Sequence, residues 1–270
     1  MKEGPLTDLH DYKDVAENYD LYLDVMYREH DNYKGFKDFY LDLAREYGQN
    51  GVLDIACGTG AVLLHLAKAG IDIDGSDISE AMCNVAASKA KHMGLNLNIF
   101  SANMTNLHAP RKYSLAIIAR SGFMHLLTPQ DQRAALLSIR DSLVDGGILT
   151  LNTFAPFPPI QAEQMRSTPD DYEFRLEYTN IDGYRERIYN AITYNPATQV
   201  MYGNWKFKTM DDAGNVIAER VRPLAMRQTY SQELKYLLEL CGFEVLHRYG
   251  DYHRSDADTG RYVWVLRKLI

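Results

Sequence analysis

The segment Val52-Leu53-Asp54-Ile55-Ala56-Cys57-Gly58-Thr59-Gly60 constrains this chain more than any other. A short apolar run ends in an acid, a glycine-rich turn follows, and Ala61 to Lys68 is amphipathic. That order reads as strand, tight turn and helix. Gly58 and Gly60 let the backbone take positive φ and let a ligand come close where a Cβ would stand. The helix then points free N–H groups at whatever lies over the turn. The expected setting is a parallel α/β sheet with a nucleotide-like ligand above the turn.

Spacing narrows the ligand. A dinucleotide fingerprint wants Gly-x-Gly-x-x-Gly, the last glycine allowing close helix–strand packing. Counted from Gly58, that third position is Leu63, and a P-loop would need a lysine that does not appear before Lys68. A second strand, Ile71 to Ser76, ends at Asp77. A carboxylate there can accept from both hydroxyls of a ribose, and the acid of such a unit comes about 20 residues after the glycines. The plainer reading of Asp77 is an N-cap for a helix starting near Glu80, a role open to Ser79 as well. Ile78 and Met82 are apolar and suited to an adenine face.

More of the pattern follows. Leu95 to Phe100 alternates as a strand, followed by Ser101-Ala102-Asn103-Met104. Leu115 to Ala119 is a fourth strand, and the loop Arg120-Ser121-Gly122-Phe123-Met124-His125-Leu126 leaves its carboxyl end, where ligands of open parallel sheets sit. Thr128 as N-cap and Pro129 open a helix that Gly146-Gly147 ends, and Ile148 to Leu151 is a fifth strand. Helices alternating with near-continuous apolar strands spell an α/β domain.

Asp-x-x-x-Gly-x-Gly with the acid at the strand end resembles the first motif of the class I S-adenosylmethionine (SAM) methyltransferases. In that family the turn cradles the methionyl part of SAM, and the strand-end acid, here Asp54, helps to fix its ammonium group. The resemblance implies cofactor contacts from Asp54, Ala56, Cys57, Gly58, Gly60, Asp77, Ile78, Met82, Asn103, Met104, Ala119 and Arg120. Many members carry an acid where this chain has Asn103; its amide can accept from the adenine amino group and donate to a ring nitrogen, or simply close a turn. Val52 to Gly60, Ala102-Asn103-Met104, Phe123-Met124-His125-Leu126 and Tyr262 to Lys268 look like the glycine N-methyltransferase group and are similar to the amino-sugar N,N-dimethyltransferases of macrolide pathways. The implied cofactor is SAM, with S-adenosylhomocysteine as product, and the implied acceptor is a small molecule, with an amine favoured over a hydroxyl. A SAM-binding regulatory module without turnover and a nicotinamide oxidoreductase are the other classes. The second is weakened by Leu63.

The fold expected is α/β: a Rossmann-like seven-stranded class I methyltransferase sheet with helices on both faces, an N-terminal helical lid and an inserted antiparallel β-sheet. Residues 1–47 form the lid, with Tyr19 and Tyr33 reaching toward the cofactor. Residues 48–156 and 229–270 form the SAM-binding core. Residues 157–228, which alternate from about Tyr172 and turn at Asp211 to Asn215, form the insert, through which a homodimer is a further expectation. A helix capped by Ser231 and a hairpin of Phe243 to Tyr249 and Arg261 to Arg267 close the chain.

Methyl transfer is an in-line displacement at a sulfonium carbon, so alignment and dehydration supply much of the acceleration. A protonated amine or a hydroxyl also needs a base. His125 is the candidate base, since its loop faces the reacting centre and histidine titrates near neutrality; the alternative is a neutral packing residue. Tyr19 is the second catalytic candidate. Arg120 suits an anion of substrate or cofactor. The glycine enzymes place a carboxylate-clamping arginine in the fifth-strand region, and Leu151 to Pro156 has none, which argues against glycine as acceptor; Phe154, Phe157, Tyr202 and Trp205 either flank a bulkier acceptor or pack the insert on the core or on a second subunit.

Composition excludes several classes. Hydrophobic residues are 46%, enough for a sizeable core, and the formal charge is −7 from 29 basic and 36 acidic residues. Nucleic acid is not expected as a partner without a basic run or face, and Asn-Pro-Pro-Tyr, the mark of base-methylating enzymes, is missing after the fourth strand. No apolar run approaches the roughly 20 residues that span a bilayer. The three cysteines, Cys57, Cys83 and Cys241, sit in apolar contexts and read as reduced thiols of a cytoplasmic protein. Cys57 reads as small filler rather than a nucleophile. No metal-ligand spacing is present, so no metal is expected.

Overall fold

The computed structural model describes residues 9, 12–28, 35–154, 157–257 and 261–270. It divides the chain into two compact units. One comprises residues 32–156 and 228–270, the other residues 1–31 and 157–227.

The first unit holds a seven-stranded sheet. Its strands are β1 (Val52–Ile55), β2 (Ile73–Asp77), β3 (Ile99–Ser101), β4 (Tyr113–Ile118), β5 (Leu143–Phe154), β10 (Phe243–Tyr249) and β11 (Arg261–Lys268). Their order across the sheet is β3-β2-β1-β4-β5-β11-β10. All neighbours from β3 to β5 run parallel, and β11 is antiparallel to both β5 and β10. The order reverses between β1 and β4, and a ligand crevice opens at the carboxyl ends beside such a switch.

Strand residues alternate between two cores. Val52, Leu115, Ile117, Ile148, Val263 and Val265 pack with α2 (Phe36–Tyr47) and α3 (Leu63–Lys68). Leu53, Ile55, Ala116, Ile118, Leu149 and Trp264 pack on the other face with α5 (Pro129–Ser142) and α7 (Ser231–Leu240). A sheet covered on both sides is why its strands read as continuous apolar runs. Helix α5 has the expected start: Thr128 Oγ1 accepts from the Asp131 N–H at 3.0 Å, with Pro129 in the first turn.

Several boundaries differ from the sequence reading. Gly146-Gly147 does not end α5; the helix stops at Ser142 and the glycines lie inside β5, where Gly146 takes φ 71 and the pairing with β4 changes register. Ser231 is the first helical residue of α7 and Tyr230 is the cap, without a side-chain bond. Strand β3 is confined to Ile99–Ser101, the residues that pair with Gly75, Ser76 and Asp77 of β2.

The second unit holds α1 (Tyr19–Arg28), α6 (Pro158–Gln164) and a four-stranded antiparallel sheet, β6 (Glu173–Thr179), β7 (Arg185–Asn195), β8 (Val200–Met210) and β9 (Val216–Arg227), paired in sequence order. Its core is aromatic: Val15, Tyr22 and Leu23 pack on Leu176, Tyr178, Ile188 and Phe207. Glu186 is fully buried there, paired with Arg220 Nη1 at 2.6 Å, accepting from Thr209 Oγ1 at 3.1 Å and from the Tyr178 hydroxyl. The chain segment expected as one N-terminal lid, residues 1–47, is thus shared. Helix α1 belongs to the second unit and α2 to the first, where Phe36, Phe39, Tyr40 and Leu43 are buried against the sheet.

Candidate functional site

The turn after β1 is built from left-handed residues. Ala56, Gly58 and Gly60 have φ of 54, 55 and 88. A Cβ added at Gly58 would meet nothing within 4 Å, so the space over that residue is open to a ligand. At Gly60 a Cβ would stand 3.0 Å from the Leu64 side chain and 3.3 Å from Ala86. Close packing of the turn on α3 and α4 (Glu80–His92) therefore needs glycine there. Cys57 donates its N–H to Ser76 O at 2.9 Å, and burial pushes its thiol well above the ordinary cysteine range, the opposite of what a thiolate nucleophile needs.

Two carboxylates flank the turn. Asp54 is buried at the end of β1; Oδ2 accepts from the Leu63 N–H at 3.0 Å, and Oδ1 is buried without a hydrogen-bond partner among the described residues. Its carboxyl is pushed up to about 7, first by burial and then by the charge of Asp77, against the Leu63 N–H and the Arg120 guanidinium, which favour ionisation. Asp77 ends β2, also buried. Oδ2 accepts from the Gly58 N–H at 2.8 Å and Oδ1 from the Ser79 N–H at 2.9 Å. Two oxygens offer about four lone-pair sites, so a carboxylate with these bonds can still accept from a diol. Ser79, not Asp77, caps α4, its hydroxyl accepting from the Met82 N–H at 3.4 Å.

Beyond Asp77, Ile78 is 42% exposed while Met82 is 2% exposed, so of the two Ile78 offers the apolar surface and Met82 is buried. Asn103 caps the short 3-10 turn Met104–Asn106. Its Oδ1 accepts from both the N–H and the hydroxyl of Thr105, each at 2.9 Å. Those donors occupy the carbonyl, so the side chain faces a base only as a donor through its NH2 group. Met104 is half-buried beside the core.

The loop after β4 carries its own strain. Arg120 and Ser121 both take positive φ, 49 and 62, without being glycine. Such conformations persist where surroundings impose them. Asn152 of β5 does so: its Oδ1 accepts from the Ser121 N–H at 2.9 Å, and its Nδ2 donates to Ser121 Oγ at 3.1 Å. Arg120 lies over the Phe36 ring of α2, 5.0 Å from its centroid, and Ala119 is buried below. The loop continues into the 3-10 turn Gly122–His125, in which Phe123 and Met124 are buried and His125 is half-buried. A cleft lined by Ser121, Asn152, Thr153, Phe154, Tyr252 and Tyr262 adjoins this loop.

Asp54, Ala56, Cys57, Gly58, Gly60, Asp77, Ile78, Met82, Asn103, Met104, Ala119, Arg120 and His125 thus all follow or end β1, β2, β3 and β4 in one unit. Tyr19 belongs to the other unit, where its ring meets Tyr12 at 5.8 Å and Tyr22 at 5.4 Å. Tyr33 lies outside the described residues. Sequence reasoning did not single out Asn152; a polar residue within the apolar run Ile148 to Leu151 and onward was the available signal, since buried amides need partners. No group of three or more metal-ligating side chains is found among the described residues.

Open space over the turn, an orphaned buried carboxylate oxygen and a second carboxylate at the β2 end fit the amino-acid and ribose parts of SAM. The comparisons agree. A family model described as a methyltransferase domain matches residues 52–147. A glycine/sarcosine N-methyltransferase of Parasynechococcus marenigrum (strain WH8102) is 31% identical over 236 residues, 86% of this chain and 76% of that protein. A putative methyltransferase of Geobacillus sp. (strain WCH70) is 28% identical over 128 residues, so the match spans 46% of this chain and about half (52%) of that relative. Among solved structures, an S-adenosylmethionine-dependent methyltransferase from Clostridium acetobutylicum ATCC 824 has the same fold, with a TM-score of 0.77 at 17% identity, covering 96% of this chain and 99% of that one. Fold and site together define a class I methyltransferase. The chain belongs to the SAM-dependent methyltransferases, and SAM is its cofactor. No helix among the described residues is long and apolar enough to cross a membrane.

Proposed function

We propose that this enzyme methylates an amine of a small, polar molecule. The observation that carries the reading is the 31% identity to a glycine/sarcosine N-methyltransferase across 86% of the chain, well beyond the cofactor-binding half. SAM supplies an electrophilic methyl carbon on a sulfonium. In this reading Asp77 accepts from the ribose hydroxyls, Ile78 lies against the adenine, and Asn103 donates to a ring nitrogen of the base. The unpaired Oδ1 of Asp54 receives the ammonium of the cofactor, and Arg120 its carboxylate. The acceptor enters beside the Arg120–His125 loop, which Asn152 holds, and His125 takes the proton that an ammonium acceptor must lose. Alignment by these groups supplies the largest share of the rate.

The β5 segment Ile148–Phe154 holds no arginine for a substrate carboxylate, so an acceptor larger than glycine remains the favoured class. The test is S-adenosylhomocysteine production from SAM with a panel of small primary and secondary amines beside phenols and hydroxy acids. Turnover confined to amines supports the proposal; turnover confined to hydroxyl acceptors refutes it. With an amine found, His125→Ala lowers kcat by about 10²-fold or more and leaves S-adenosylhomocysteine affinity in place. Equal turnover removes the base role.

A further inference from the structure

We propose that Lys89 is a positioning residue for the cofactor turn and acts through the carbonyl of Thr59. Lys89 stands in the last turn of α4, and its Nζ donates to Thr59 O at 3.1 Å. Thr59 is the residue between the two glycines and is 2% exposed. The peptide that joins Thr59 to Gly60 is therefore held at both ends: its carbonyl by Lys89, and its N–H by Cys57 O at 3.0 Å. Further fixed points of the turn include the Gly58 N–H on Asp77, the Cys57 N–H on Ser76 O and the Leu64 N–H on Gly60 O. Lys89 is the cation among these anchors. An ammonium on a carbonyl also polarises the peptide and strengthens its N–H as a donor. Left-handed residues on both sides, Gly58 and Gly60, make the turn easy to deform, and a deformed turn no longer presents its open face to the amino-acid end of SAM.

This inference rests on the reading that the turn holds the methionyl end. A plainer role for Lys89 exists, because a cation near the C-terminus of α4 is favourable with any ligand or none, as Lys91 and His92 would be. The two roles separate in binding. The probes are S-adenosylhomocysteine and methylthioadenosine, which share the nucleoside and the thioether but differ in the amino-acid end. Each is titrated calorimetrically into the wild type, Lys89→Met and Lys89→Arg, with thermal melts of the free proteins alongside.

The expected result is that Lys89→Met weakens S-adenosylhomocysteine by about tenfold. Methylthioadenosine changes by no more than about twofold. Lys89→Arg, which can still donate to the carbonyl, recovers most of the loss. Equal weakening of both probes, an unchanged affinity for S-adenosylhomocysteine, or an arginine variant as weak as the methionine variant overturns the positioning role. If instead the wild type binds both probes equally, the reading of the turn itself fails, whatever the lysine variants do.

Discussion

Asp54→Asn separates the charge of the buried acid from its hydrogen bond. Asparagine keeps an oxygen for the Leu63 N–H, which Asp54 Oδ2 holds at 3.0 Å, and loses the titration. The wild-type carboxyl titrates at about 7 in the folded chain against an ordinary 3.8. Below about pH 3 it is neutral in both states and its charge costs nothing. Between those values the folded chain keeps a proton that the unfolded chain has released, so stability falls as the pH rises; above 7 the cost is complete. At about 1.4 kcal/mol per tenfold, ionising Asp54 in place costs about 4 kcal/mol, of which about 3 kcal/mol appears between pH 4.5 and pH 8. Asparagine adds a buried NH2 where Oδ1 had no partner, worth about 1–3 kcal/mol against it at every pH. The offset between the two proteins is therefore less informative than its change. Relative to wild type, the variant gains about 6–12 °C in Tm on going from pH 4.5 to pH 8 in the absence of ligand. Melting curves by scanning fluorimetry at both pH values measure it. Parallel shifts of the two proteins would sink the electrostatic account of this site.

Two further outcomes follow from the same geometry. Gly60→Val forces a β-branched residue to φ 88 and a Cβ to 3.0 Å from the Leu64 side chain. It costs about 2–4 kcal/mol and removes S-adenosylhomocysteine binding, read by melting and calorimetry; retained binding would mean the turn does not need its present shape. Asn152→Ala strips Ser121 of both partners, leaving a buried N–H unpaired at a cost of about 1–3 kcal/mol, and lets the Arg120–His125 loop relax. Turnover falls about tenfold or more with cofactor affinity within about threefold; steady-state kinetics with a confirmed acceptor decides this, and a change in cofactor affinity alone would contradict it.

The cofactor half was legible because it depends on local order. The strand, turn and helix around Asp54 to Gly60, the acid at the end of the next strand, and the Thr128-Pro129 helix start all stand within a few residues of the feature they create. What the sequence could not show were partners distant along the chain. Asn152 serves a loop 31 residues earlier, and Lys89 a carbonyl 30 residues earlier. The expectation of one N-terminal helical lid did not say which core α1 and α2 would each join, since both are rich in aromatic residues. Gly146-Gly147 shows a different ambiguity: positive φ serves a helix end and an irregular strand equally well. Asn103 offered acceptor and donor until Thr105 claimed its oxygen.

The assignment of α1 to the four-stranded unit has a consequence for how the chain is made. Asn18 hydrogen-bonds the Ile181 N–H across 163 residues, and Val15, Tyr22 and Leu23 complete a core with residues from Leu176 to Phe207. At about 5–20 residues per second, α1 leaves the ribosome roughly 10–30 s before the strands it packs on. The methyltransferase sheet is largely synthesised in that interval, so α1 must keep its tyrosines from joining it or be held by a chaperone meanwhile. The closing of the second unit is then a non-local and slow step, and the early segment is where misassembly on the ribosome would begin.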